Sequence, residues 1–250
     1  MATAIRKTAT IYRMVMAQHT CPYGLKAKDL LRRKGYFVDD HHLETREATD
    51  MFKTEHGVAT TPQTFINGKR IGGYDDLRRF LGLHVTDPKA TSYTPIIALF
   101  TMTALMALAA SYAASGNVLT VRTGEWFIAF SMTVLAMLKL QNVDKFATMF
   151  LNYDLLAKRW VPYASIYPFA EGLAGLLMTA GALHWVSIPL ALFIGTIGAA
   201  SVFKAVYLDK RELKCACVGG DSNVPLGFVS LTENLMMVGM AVWMSARTAN

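Results

Sequence analysis

Cysteine is scarce in this chain: three in 250 residues, Cys21, Cys215 and Cys217. That is too few, and an odd number, for a disulfide scaffold. Reactive or metal-binding thiols in a reducing compartment are the better reading. Charge is scarce as well, at 17% of residues against 53% hydrophobic, which argues against a chain that is soluble throughout. The shortage is local. Charged and apolar residues mix up to about Leu83, whereas Ala90 to Val121 contains no charged residue. The net charge of +7 comes without interleaved arginine and aromatic residues, so nucleic acid is not an expected partner. In a membrane protein such an excess marks cytoplasmic loops. The first stretch, MATAIRKTATIYRMVMAQ, has no uninterrupted apolar run before a small-residue cleavage site. It is not read as a signal peptide, and the first domain is expected to stay in the cytoplasm.

The most telling absence is at position 24. Cys21-Pro22-Tyr23 opens a helical stretch, and Gly24 stands where a redox motif would carry its second cysteine. Before it, Ala9 to Ala17 reads as a strand. After it, AKDLLRRKG reads as a helix stopped at Gly35. Tyr36-Phe37-Val38 reads as a short strand and Thr45 to His56 as a polar helix. Thr64 to Ile71 reads as a hairpin turning at Asn67-Gly68, and Asp75 to Leu83 as a closing helix. The order β-α-β-α-β-β-α is that of a thioredoxin-like α/β domain, bounded here as residues 1–83.

Three motifs, Cys21-Pro22-Tyr23, Thr60-Thr61-Pro62 and Gly72-Gly73-Tyr74-Asp75-Asp76-Leu77, give residues 9–83 a resemblance to the glutaredoxins. The resemblance implies glutathione as substrate. It implies a cis Pro62 facing Cys21, the Thr61 backbone pairing with the cysteinyl part of glutathione, and Gly73, Tyr74 and Asp75 holding the γ-glutamyl end, with Tyr23 beside the thiol. The physics agrees. A helix N-terminus lowers a cysteine's pKa, and the thiolate is the nucleophile. Pro22 fits the first helical turn. Two departures qualify the likeness. Gly24 excludes a dithiol cycle within the motif but permits a monothiol cycle resolved by glutathione or another thiol. Gln18 stands where many glutaredoxins have a lysine, which implies a weaker thiolate. The iron–sulfur role of some monothiol glutaredoxins is disfavoured, because CPYG is unlike their CGFS site.

After a linker over residues 84–94, residues 95–250 read as an all-α polytopic transmembrane bundle of about five helices: 93–115, 126–140, 163–184, 188–208 and 224–246. The stretch from Asn142 to Trp160 reads as an interfacial helix, with a solvated loop as the alternative. Lys139 and Glu171 lie inside spans and read as a structural ion pair in preference to proton or quinone handling. Basic residues gather on the side of the first domain: Lys145, Lys158 and Arg159 after the second segment, Lys210, Arg211 and Lys214 after the fourth. That placement follows the positive-inside rule and points to a multi-pass protein, of a bacterial inner membrane, with its N-terminal domain cytoplasmic.

Cys215-Ala216-Cys217 sits in the loop after the fourth segment. A Cys-x-Cys can form a strained, labile disulfide or chelate a soft metal ion such as Cu(I) or Hg(II). This half resembles the MauE/DoxX-like redox-associated membrane proteins over about 126–246. The resemblance rests on Lys139-Leu140, Pro168-Phe169-Ala170-Glu171, the Cys-x-Cys followed by glycines, and Glu233-Asn234-Leu235. It implies a redox role. The expected function is a membrane-anchored, glutathione-linked thiol–disulfide oxidoreductase in which Cys21 exchanges with Cys215 and Cys217, together with a redox partner protein or quinone. The alternatives are a soft-metal binding or transport protein using Cys215 and Cys217, and a non-catalytic subunit or assembly factor with a vestigial glutaredoxin domain.

Overall fold

The computed structural model describes residues 7–85, 87, 90–216 and 223–248. Two compact units divide the chain, Met1–Pro88 and Lys89–Asn250.

In the first unit, β1 (Thr8–Met16) is the central strand. It pairs in parallel with β3 (Phe37–Leu43), from Thr8↔Phe37 to Met14↔Leu43. On its other side it pairs antiparallel with β4 (Gln63–Ile66), from Ala9↔Ile66 to Tyr12↔Gln63. β5 (Lys69–Gly72) completes that edge. The β4–β5 turn has Asn67 at φ 52° and Gly68 at φ 74°, both positive as a type I′ turn requires. A two-residue β2 (His19–Thr20) folds back on Val15 and Met16, and Gln18 lies exposed in that hairpin. Residues alternate along β1. Ala9 and Ile11 pack with Ala27, Leu30 and Leu31 of α1 (Pro22–Arg33) and Leu77 of α3 (Tyr74–Phe80). Tyr12, on the other face, stacks on Phe52 of α2 (Arg46–His56) at 4.7 Å and on His41 at 4.8 Å.

β3 has seven residues where the sequence pattern gives three. Its Asp-Asp-His-His run has poor strand propensity, but each member finds a partner. His41 pairs with Asp39 and stacks on Tyr12, and Asp40 meets Arg13, Lys28 and His42.

The second unit is helical. α4 (Thr94–Ser115) packs on α5 (Val121–Leu140), α5 on α7 (Pro162–Ala180), α7 on α8 (His184–Phe203) and α8 on α9 (Phe228–Thr248), which returns to α5. A short π-helix, Lys204–Leu208, extends α8. Among the described residues, four helices are long and apolar enough to cross a membrane: Thr94–Ser115, Val121–Leu140, His184–Leu208 and Phe228–Thr248. The segment expected as a further span over 163–184 is α7. It is outside that set, and its sequence carries Tyr163, Tyr167 and Glu171, all buried.

Helix bounds move where polar residues have local partners. α5 starts at Val121, not 126, because Thr120 and Thr123 cap each other at 3.1 and 3.2 Å. Arg122 lies over the Trp126 ring, and Glu125 pairs with Arg247. α7 ends at Ala180 and α8 starts at His184, so the turn between them lies earlier in the chain than expected. α9 starts at Phe228 because the residues before it pair back: Cys215 N–H donates to Val224 at 2.8 Å and Leu226 N–H to Leu213 at 2.7 Å.

The 142–160 stretch is neither an interfacial helix throughout nor a solvated loop. α6 (Val143–Phe150) buries Phe146, Ala147 and Phe150, and the turns after it bury Tyr153, Asp154 and Ala157. Asp154 accepts from the Leu156 and Ala157 amides at 3.0 and 2.8 Å and from the Ser201 hydroxyl at 3.0 Å. Burial pushes its carboxyl up against those bonds.

Candidate redox centres

Cys21 is the residue before α1, with Pro22 at the first helical position, where its missing N–H costs little. It is a free thiol, 7% exposed. Its amide donates to Met14 at 3.0 Å, and its Sγ lies 4.0 Å from the Thr61 carbonyl oxygen. The Thr61–Pro62 peptide is cis. A Cβ built on Gly73 would stand 3.7 Å from the Pro62 carbonyl, so α3 begins beside that loop. The Gly73 amide donates to Asp76 at 3.1 Å. Gly72 has φ +123°, and an added Cβ would run into the Asp76 side chain, so no larger residue fits. The Tyr23 and Tyr74 rings lie 6.3 Å apart, and Asp75 is exposed in the first turn of α3. Cys21 thus lies beside the Thr61–Pro62 loop, that loop beside Gly73, and Tyr23 near Tyr74.

The space at Gly24 is occupied. A Cβ there would lie 2.7 Å from Arg13 Cβ and 3.0 Å from Arg13 Cδ. Arg13 is buried, and its guanidinium bonds Asp40 at 2.7 and 2.8 Å and His42 at 2.9 Å. Lys28 reaches the same carboxylate at 2.6 Å. Burial works to raise the Asp40 carboxyl, but the bonds from Arg13, Lys28 and His42 and the charge of Arg13 outweigh it. They hold Asp40 well below the usual carboxylate range.

The second centre is inside the helical unit. Cys215 is 1% exposed and disulfide-bonded. Cys217 and the glycines after it lie outside the described residues. The Cys215 Sγ is 3.0 Å from the Ser230 hydroxyl on α9. It lines a cavity of about 20 Å³ with Lys139, Tyr153, Tyr167, Gly198, Ser230, Glu233 and Asn234. Lys139 donates to both oxygens of Glu171, at 2.7 and 2.6 Å, and to Glu233 at 3.0 Å. Its ammonium also lies 5.3 Å from the centre of the Tyr167 ring. Tyr153 closes the wall. Burial first, then the charges of Glu233, Asp154 and Glu171, push its phenol far above the ordinary range.

The expected partnership of Lys139 with Glu171 is present. Sequence reasoning missed that Glu233 joins it, and that the cluster shares a cavity with Cys215. The signal was a lysine at 139 and glutamates at 171 and 233, each well inside a mostly apolar segment. Among the described residues, no group of three or more His, Cys, Asp or Glu side chains could hold a metal ion.

A family model described as Methylamine utilisation protein MauE matches residues 117–247, more than half of the chain. The chain belongs to the MauE family. The match takes in α5 to α9 and leaves out α4. A second model, Glutaredoxin, matches residues 9–71, so the MauE unit is joined to a glutaredoxin domain. Glutaredoxin 1 of Rickettsia prowazekii is 35% identical over 80 residues, 31% of this chain and 80% of that protein. A probable glutaredoxin of Synechocystis is 39% identical over 74 residues, 28% of this chain and 81% of that protein. A hybrid peroxiredoxin of Haemophilus influenzae is 40% identical over 60 residues, 24% of this chain. The chain spans only 25% of that protein's length. The chain thus joins a glutaredoxin domain to a MauE unit that contains helices long and apolar enough to cross a membrane.

Proposed function

We propose that this MauE-family protein is a membrane-anchored, glutathione-linked thiol–disulfide oxidoreductase. The observation that carries the reading is the pairing of a free Cys21 at a helix start with an oxidised Cys215 in the other unit. The Cys21 thiolate attacks the Cys215 disulfide; a new S–S bond forms, the old one breaks, and one membrane cysteine leaves as thiolate. A glutathione thiolate then attacks Cys21 and frees the second membrane cysteine. A second glutathione releases Cys21 and forms glutathione disulfide. Two glutathiones are thus oxidised as one disulfide is reduced, and every step runs in reverse. A redox partner protein or a quinone would exchange with the membrane dithiol.

Glutathione lies, in this reading, along Thr61, Pro62, Gly73, Tyr74 and Asp75, beside Tyr23. With α7 counted as a fifth crossing, Lys145, Lys158, Arg159, Lys210, Arg211 and Lys214 fall on the side of the glutaredoxin domain. The gathering of positive charge supports a cytoplasmic location for that side. A soft-metal role has less support, because an oxidised Cys215 offers no thiolate.

The test is reduction of the Cys215 disulfide by glutathione in the full-length protein, read by counting thiols. The wild type should yield one glutathione disulfide per disulfide opened, and Cys21→Ser should fall to the rate of glutathione alone. Equal rates for the two proteins would contradict the reading.

A further inference from the structure

Glu233 changes the charge count at the membrane site. A lysine and one carboxylate close to neutral, but Lys139 faces two carboxylates. Among the described residues no second cation pairs with either. Fully ionised, the cluster would carry one net negative charge on side chains that are 3%, 0% and 7% exposed. An uncompensated buried charge is costly. One proton held between the two carboxylates removes it. The neighbouring elements supply no cation: α7 contributes Tyr167, the turns after α6 contribute Tyr153, and Asp154 is bonded to Ser201 and two amides. The cavity wall takes Gly198 and Val202 from α8 and Phe146 and Phe150 from α6, none of which titrates.

The route to the sulfur is present as well. Ser230 is one turn before Glu233 on α9, and its hydroxyl touches Cys215 Sγ. Asn234 is 6% exposed, and its Oδ1 has no hydrogen-bond partner among the described residues. That oxygen lies against Gly198, where no side chain would fit. The cavity of about 20 Å³ exceeds the roughly 10–15 Å³ that one water needs. Lys139, Ser230, Glu233 and Asn234 give such a water its polar partners.

We propose that the Lys139–Glu171–Glu233 cluster stores an exchangeable proton and delivers it, through a water in this cavity and the Ser230 hydroxyl, to Cys215 when its disulfide opens. The proposal rests on Cys215 being redox-active. An incoming thiolate bonds to the other sulfur of the disulfide, the S–S bond breaks, and its electron pair stays on Cys215 Sγ. Ser230 gives its proton to that sulfur and takes one from the water, which takes one from the cluster. The cluster is refilled from solvent, where the incoming thiol left its own proton. Burial and the neighbouring Glu233 carboxyl disfavour a thiolate at Cys215, so an unprotonated Cys215 would reclose the disulfide.

The experiment is single-turnover opening of the Cys215 disulfide by glutathione in the full-length protein carrying Cys21→Ser, so that glutathione itself is the attacking thiolate, from about pH 6 to 9, with each rate divided by the glutathione thiolate concentration. With the cluster and Ser230 intact this rate should be flat at low pH and fall once the cluster gives up its proton. Glu233→Gln leaves Lys139 and Glu171 balanced with no proton to give. Its rate should be roughly 100-fold lower at low pH, the low end for a positioned acid, and independent of pH. Ser230→Ala, which leaves all three charges in place, should shift in the same direction. Unchanged profiles in both variants would overturn the proposal. If the wild-type disulfide resists glutathione at every pH, the redox reading fails and the proposal with it.

Discussion

The two sulfur centres are built on opposite charge plans. Beside α1, two cations, Arg13 and Lys28, converge on one carboxylate, Asp40. In the MauE unit one cation, Lys139, sits between two carboxylates. The first cluster lies partly in reach of water, with Lys28 22% and Asp40 12% exposed. A surplus positive charge is tolerable there, and it goes with a free thiol. The second has almost no water, and its surplus negative charge must be met by a proton. Burial, more than the number of charges, separates a cluster that fixes a strand and a helix from one that can carry chemistry.

Removing the hub of each cluster should show the difference. Lys139→Met leaves two carboxylates buried without their cation and should cost roughly 3–5 kcal/mol, read as thermal unfolding in detergent. The triple variant Lys139→Met, Glu171→Gln, Glu233→Gln should recover most of that loss, since replacing a whole buried ion cluster is often close to neutral. No recovery would mean that the lysine acts by packing alone.

Asp40→Asn should cost the glutaredoxin domain roughly 1.5–3 kcal/mol, the range for hydrogen bonds to a charged group. The sign with pH follows from the lowered Asp40 carboxyl. The stabilisation is complete above the unfolded value of about 4 and is lost as pH falls from there through the lower folded value. The gap between wild type and variant should therefore close in acid. A constant gap would place the effect elsewhere.

Gly24→Cys is the smallest of the three changes. It should not restore a dithiol site. The new Cβ meets Arg13 Cβ at 2.7 Å, which cannot swing away as a side-chain tip can. Gly24→Ala and Gly24→Cys should destabilise alike, by roughly 1–3 kcal/mol. A stable Gly24→Cys protein in which Cys21 bonds to the introduced thiol would show that β1 and α1 can separate.

Much of this was legible in the residues. Asn67-Gly68 announced its hairpin, Pro22 the start of α1, and the Lys139–Glu171 pair followed from rare charges in apolar spans. β3 was not, because its Asp and His residues are stabilised by partners on β1 and α1 that no local pattern reveals. The reason for Gly24 was hidden as well. It reads as a lost cysteine until the Arg13 stem is seen filling the space. Glu233 stands 94 positions from Lys139, and its membership of the cluster depends on how α5 and α9 pack. The polar 142–160 stretch suggested a surface element, while its aromatic residues close the core beneath α7.

The central claim is that Cys21 and the Cys215 disulfide exchange directly. Cys215→Ser and Cys217→Ser each leave one membrane thiol without its neighbour. Exchange requires Cys21 to reach that thiol with a Cα separation of roughly 4.4–6.8 Å in the bonded state. Under mild oxidation of the full-length protein, at least one of these variants should accumulate a mixed disulfide to Cys21, within a chain or between two chains, identified by mass spectrometry and abolished by Cys21→Ser. If neither variant ever cross-links to Cys21, direct coupling of the two centres is wrong.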